Sequence, residues 1–231
     1  YSITTGAENT ALGTQAMIGA TTGSYNTAVG CYALDAAVTG NSNTAVGHHA
    51  LSLNTSGGSN VAIGKEALEA NTTADHNTAV GRTALHSNTT GTHNQGIGNY
   101  ALQNCTTGSY NIAHGYNALG SVTTESNNVA IGEAALESCT ASNNVAIGFN
   151  ALQSNTTGTN NTAVGAAALD ANTTASSNTA VGYAALGDLT TASECTAVGD
   201  RAGQNVTTGV KGTFIGDKAG CNLPDGTHKI A

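Results

Sequence analysis

A five-residue pattern of polar, variable, Ala, apolar and Gly positions returns along this chain at a fixed interval. Asn26-Thr27-Ala28-Val29-Gly30 recurs with openings at Asn43, Asn60, Asn77, Asn94, Asn111, Asn128, Asn144, Asn161 and Asn178. An earlier copy opens at Asn9, and degenerate copies open at Cys195 and Gly212. The spacing is 17 residues, except for 16 between Asn128 and Asn144. Written as slots, the unit is Asn, Thr/Val, Ala, Val/Ile, Gly, two variable residues, Ala, Leu, two variable residues, Asn-Thr-Thr-Gly and two polar residues. The short copy has Cys139-Thr140-Ala141 where another has Asn155-Thr156-Thr157-Gly158, so its deletion falls in a turn. A period of this length is the mark of a stacked repeat architecture, in which each unit buries its apolar side against its neighbours.

Helix does not fit the unit. Thr, Asn and Gly recur inside every copy, and no 3.6-residue stripe survives the repeat. The pattern predicts two short strands per unit, slots 1–4 and 6–10, joined by the Thr-Thr-Gly turn. The expected fold is all-β, a parallel β-solenoid or β-roll of about thirteen coils, running as one continuous array over residues 1–231. Stacked at the strand spacing of about 4.8 Å, thirteen coils extend on the order of 60 Å. Slot 5 is Gly in every copy, including Gly30, Gly47, Gly64 and Gly81, and slot 8 is always Ala, including Ala33, Ala50 and Ala67. These read as geometry: a corner needing positive φ or close backbone approach, and a place with no room for a larger side chain.

Both predicted strands carry adjacent apolar residues, Ala28-Val29 and Ala33-Leu34, whereas neighbouring strand residues point to opposite faces. Slot 9 is Leu in ten copies, among them Leu34, Leu51 and Leu68. Unless a corner between slots 8 and 9 turns both residues inward, one apolar column faces out, and a large exposed apolar ribbon argues for self-association. In the copy opening at Gly212, slot 3 becomes Phe214 while slot 9 becomes Gly220, and the preceding copy has Gly203 in slot 9. This volume exchange places slots 3 and 9 in one space, leaving slots 2, 4 and 8 to the other.

Composition narrows the picture. Of 231 residues 39% are hydrophobic but only 4% aromatic, with 30 Gly, one Pro and no Trp, so any core is narrow. Six basic residues against fourteen acidic ones give a net charge of −8, which disfavours nucleic acid and anionic membrane surfaces. No apolar run approaches the roughly 20 residues of a membrane span, so membrane insertion is not expected. Tyr1 is not an initiator Met. Tyr1 to Glu8 align with the last eight slots of a unit and Lys229 to Ala231 with the first three of another, so the array is expected to continue within a longer protein.

The pentads Asn128 to Gly132 and Asn144 to Gly148, each followed by an Ala-Leu step, resemble the Val-Ala-Ile-Gly core of the β-roll heads of trimeric autotransporter adhesins. Strings such as Asn155 to Leu169 resemble the repeat shafts of bacteriophage tail-fibre proteins. The variant Thr213-Phe214-Ile215-Gly216 with Ala219-Gly220 resembles a sister repeat of the same proteins. The resemblance spans essentially the whole chain and implies a parallel homotrimer, in a virion or on an extracellular surface. The unit of 17 is longer than that of the adhesin heads.

Little in the sequence points to chemistry. His48-His49 occupy variable slots, and His76 and His93 share slot 17 in successive coils; both pairs read as surface variation. His114 replaces Val or Ile in slot 4 and is the one axial metal candidate: a hydrogen-bonded core residue, or one of three rings meeting on a trimer axis. Cys31, Cys105, Cys139, Cys195 and Cys221 show no CxxC or zinc spacing. Cys105 and Cys139 share slot 12 but lie two coils apart, beyond the roughly 7 Å that a disulfide spans. The Asn-Thr-Thr sequons at Asn71, Asn88 and Asn172 read as turn chemistry. No catalytic site and no cofactor are expected. The leading expectation is a viral tail-fibre segment that acts as a rigid spacer, with a host cell-surface glycan or protein as a further partner. A trimeric bacterial surface adhesin is the alternative, and an ice-binding solenoid is one of another class, although Val61, Gln95, Ile112, Val129 and Val145 interrupt the Thr column of slot 2.

Overall fold

The computed structural model describes residues 5–36, 38–208 and 211–222. The strands are β1 (Thr10–Leu12), β2 (Thr27–Val29), β3 (Thr44–Val46), β4 (Val61–Ile63), β5 (Thr78–Val80), β6 (Gln95–Ile97) and β7 (Ile112–His114). They continue as β8 (Val129–Ile131), β9 (Val145–Ile147), β10 (Thr162–Val164), β11 (Thr179–Val181), β12 (Thr196–Val198) and β13 (Thr213–Ile215). All thirteen belong to one parallel sheet in chain order, one strand per coil, so the chain is a β-solenoid. The expected continuation at Lys229 to Ala231 lies outside the described residues.

Two compact units are distinguished, residues 1–113 and 114–231. Within the first, neighbouring coils pair slot for slot, as in Thr44↔Val61, Ala45↔Ala62 and Val46↔Ile63. Within the second the same register holds even across the 16-residue coil, where Val129 pairs with Val145 and Ile131 with Ile147.

Each strand is three residues long and alternates as an extended chain must. Slot 3 is enclosed: Ala28, Ala45, Ala62, Ala130 and Ala163 have no exposed surface. Slots 2 and 4 face outward and are part-exposed. Gly in slot 5 ends the strand. At Gly64 φ is +135°, and an added Cβ would lie 2.4 Å from the carbonyl oxygen of Gly81 in the next coil. Conformation and close approach of the stacked backbones together exclude any side chain there.

Among the described residues the predicted second strand is absent. Slots 6–11 form a turn arc in which slots 7 and 9 both take left-handed backbone, as at His49 (φ 57°) and Leu51 (φ 52°). Ala50 N–H donates to the Gly47 carbonyl at 3.4 Å and Asn54 N–H to the Leu51 carbonyl at 3.2 Å, closing successive tight turns. Leu51 N–H meanwhile donates to the Ala67 carbonyl of the next coil at 3.0 Å. With the backbone bent this way, the twofold alternation of an extended strand no longer applies. Ala33, Leu34, Ala50, Leu51, Ala67 and Leu68 are all fully buried. The Leu column is therefore interior, and slot 8 shares the inside with slots 3 and 9. A left-handed L-residue costs about 1–2 kcal/mol, which burying a Leu side chain, worth about 1.5–3 kcal/mol, offsets. Gly203 (φ 61°) and Gly220 (φ 67°) take the same conformation without that cost. Phe214 fills the space they vacate: an added Cβ would meet its ring at 2.8 Å from Gly203 and 2.3 Å from Gly220. Slots 3 and 9 do share one space.

Polar ladders complete the core. Slot-1 Asn side chains are buried, and each Oδ1 accepts the backbone N–H of the next coil's slot-1 residue, as from Asn43 to Asn26 at 2.8 Å and Asn60 to Asn43 at 3.0 Å. Each Nδ2 closes its own coil by donating to the slot-15 carbonyl, Asn43 to Gly57 at 2.9 Å. Where slot 12 is Asn, a second ladder forms: Asn71 donates to Asn54 Oδ1 at 2.8 Å and Asn88 to Asn71 Oδ1 at 3.0 Å. These bonds satisfy amides that would be costly to enclose unpaired. They also place the sequon asparagines Asn71, Asn88 and Asn172 inside the coil, away from modifying enzymes.

Candidate functional site

The outward face of the sheet combines slot 2 (Thr, Val, Ile or Gln) with slot 4 (Val, Ile, Leu or His). None of its positions is Asp, Glu, Lys or Arg. Ile63, Ile131 and Ile147 remain 40%, 39% and 37% exposed, so an apolar column stands open at the coil pitch in each unit. The charges lie elsewhere, in the turn arc and the loop that follows it.

His114 occupies slot 4 of β7 on this outward face, half-buried. It is not a core histidine, because slot 4 points away from the coil interior. Its Nε2 is shielded from solvent and has no hydrogen-bond partner. Among the described residues no group of three or more His, Cys, Asp or Glu is placed to hold a metal ion.

The turn arc carries ionic contacts. Glu69 sits between two imidazoles, 4.0 Å from His49 Nδ1 and 3.4 Å from His86 Nδ1. Lys65 Nζ lies 3.1 Å from Glu66, and its hydrogen bond holds the Glu66 carboxyl below the ordinary carboxylate value. Burial pushes Asp35 and Asp170 up. Glu125 is also partly buried, but the N–H groups of Thr123 and Thr124 donate to it and bring it below the usual value. All five cysteines are free thiols, and burial raises Cys139.

The polar edge before the sheet carries the side chains of slots 16 and 17. His76, His93 and Tyr110 occupy slot 17 of successive coils, with ring centroids 4.9 Å apart at each step, tilted by 36° at the first and stacked at 13° at the second. Beside His76 lies an open polar groove of about 330 Å³, lined by residues of three successive coils between Thr39 and His76. Sequence reasoning treated His76 and His93 as scattered surface variation and passed over the groove. Its one signal was Gly58, a residue without a side chain in a slot held by Asn41 and Asp75 in the flanking coils.

The slot-13 threonines form a third ladder. Their hydroxyls donate to the slot-13 carbonyl of the next coil, Thr55 to Thr72 at 3.0 Å and Thr156 to Thr173 at 2.9 Å. Among the described residues no helix is long and apolar enough to cross a membrane. No family model, no curated protein and no solved structure matches the chain.

Proposed function

We propose that this chain is a self-associating structural segment of a fibre, a homotrimeric shaft of the viral tail-fibre kind, which acts as a rigid spacer and presents its outer edges to a host surface. The observation that carries this reading is the outward sheet face, without formal charge on a chain of net charge −8 and with an open apolar column in slot 4 beside the Thr-rich slot 2. An exposed apolar column of this kind favours an interaction partner. The partner that matches it coil for coil is a second copy, which presents the same Val/Ile column at the same pitch. Like-charge repulsion is avoided because the acidic residues lie elsewhere. The tail-fibre assignment, in preference to a surface adhesin, rests on the resemblance of the repeat and its Phe214 variant.

Ice binding is less well supported. It needs a regular array of free hydroxyls, and the slot-13 hydroxyl protons are committed to backbone carbonyls. A catalytic role is also disfavoured by dispersed, mostly paired carboxylates and imidazoles.

Analytical ultracentrifugation tests the reading. The wild-type chain is expected to sediment as three copies, and a chain with Ile131→Glu and Ile147→Glu as one, since each assembled copy would place two charges in an apolar contact. A stable, non-aggregating wild-type monomer would sink the proposal.

A further inference from the structure

Slot 16 normally carries a small polar side chain that ties one coil to the one before it. Asn41 Oδ1 accepts the Ser24 N–H at 2.8 Å, and Asp75 Oδ1 accepts the Gly58 N–H at 2.6 Å. Gly58 receives such a bond but has no side chain to fill its own position. The result is a notch between Asn41 and Asp75, floored by Gly58 and flanked by Ser42 and Ser59 in slot 17. Both serines hold left-handed backbone, at φ 61° and 57°.

The notch meets the aromatic stack at its end. His93 lies between His76 and Tyr110, so its two faces are covered. His76 has a ring neighbour in the following coil, but the preceding coil has only Ser59 in this slot. His76 therefore forms one wall of the groove. Asp75 Oδ1 is committed to Gly58, while its Oδ2 has no hydrogen-bond partner among the described residues. Asn41 Nδ2 adds a donor, and the two serine hydroxyls each donate and accept.

We infer that this groove, between residues 39 and 76, is a saccharide subsite that takes one hydroxylated pyranose ring edge-on. The ring's C–H face lies against His76, and its hydroxyls bridge Asp75, Asn41 and the serines. An open groove with one flat wall and several neighbouring donors and acceptors suits a neutral polyol better than an apolar ligand. The volume of about 330 Å³ is at the small end for ligand sites, fitting a single sugar unit. A homotrimer carries three copies of the subsite, one per chain, and weak single-site binding is raised by such multivalent attachment. This inference names a contact surface for the fibre reading and rests on it for its biological setting.

The test is a glycan microarray probed with the whole chain, followed by titration of the monosaccharide unit shared by the retained glycans. Three variants keep residues that the repeat already uses. Gly58→Ser restores a slot-16 side chain; its Cβ would sit 3.1 Å from the Asn41 carbonyl, so the coil accommodates it with a small shift. His76→Ser copies Ser42 and Ser59, and Tyr110→Ser alters the far end of the stack. Gly58→Ser and His76→Ser are expected to weaken binding about tenfold or more, with Tyr110→Ser unchanged. An array with no retained glycan, or binding that survives both groove variants, overturns the subsite. Sedimentation of the same samples separates this outcome from the fibre reading. A trimer that ignores sugars removes the subsite alone, and a monomer that binds them through the groove removes the fibre assembly alone.

Discussion

On the strand side of a coil the backbone is extended and burial alternates, so Ala45 is enclosed while Thr44 and Val46 face out. On the turn arc Ala50 and Leu51 are adjacent and both enclosed, because left-handed backbone at His49 and Leu51 breaks the alternation. The strand side keeps regular backbone and leaves an apolar column open. The turn arc accepts strained backbone and encloses its Ala-Leu pair, while Leu53, Tyr116, Phe149 and Tyr183 in its variable slots stay exposed. Thus the same Ala-apolar dipeptide yields an outward apolar column in one half of the coil and a core in the other. Side-chain chemistry alone does not distinguish them; backbone conformation does.

The largest expected effect sets the two sides directly against each other. Leu102→Asp on the turn arc places a carboxylate at a fully buried site, and the loss should reach several kcal/mol, unfolding the coil or the whole unit. Ile63→Thr on the strand side brings to slot 4 the Thr that slot 2 carries and, in the dissociated chain, should shift unfolding by less than about 1 kcal/mol. Chemical denaturation followed by circular dichroism measures both. Equal losses would mean that the two columns are equally enclosed.

Phe214→Ala probes the place where the two sides exchange volume. With Gly203 and Gly220 opposite, nothing else fills the space, and a loss of about 3–5 kcal/mol is expected. Restoring Leu at Gly203 in the same chain should recover part of it, because that slot holds Leu against Ala in the regular coils. A double variant no more stable than Phe214→Ala would show that slots 3 and 9 are packed independently.

The smallest effect is a gain. Asn88 Oδ1 is buried without a partner, because slot 12 of the next coil is Cys105 rather than Asn. Cys105→Asn supplies a donor to Asn88 Oδ1 but turns its own Oδ1 toward Val122 in the next coil, so the net gain should be no more than about 0.5 kcal/mol. A fall in the thermal midpoint would mean that the thiol is the better filler at this level.

Much of this arrangement was legible from residue order alone. The period, the parallel solenoid, the glycine corner and the Phe214 exchange follow from which residues recur in which slots, whereas two strands per coil were expected and one is found. The turn arc did not follow, because Leu at positive φ contradicts its ordinary backbone preference, and only stacking against Ala in the next coil makes that conformation favourable. The buried asparagines were read as turn formers, since a sequence does not show that an amide has three partners waiting inside a coil. The slot-8 alanines were misplaced for the same reason, while His114, left open between the coil core and an assembly axis, sits in slot 4 on the outward face. The groove escaped notice because its signal is an omission, one side chain missing at Gly58.

The 16-residue coil has a consequence beyond its own packing. Asn128 Nδ2 reaches the Ala141 carbonyl at 2.8 Å, spanning thirteen residues where its counterparts span fourteen. Strand pairing on either side is unshifted. Sheet register is thus insulated from chain length in the Thr-Thr-Gly loop, so this loop is where the protein can gain, lose or exchange residues while every other position keeps its neighbours. It is a natural insertion point for foreign peptides, which would then be displayed from a scaffold at intervals set by the coil spacing.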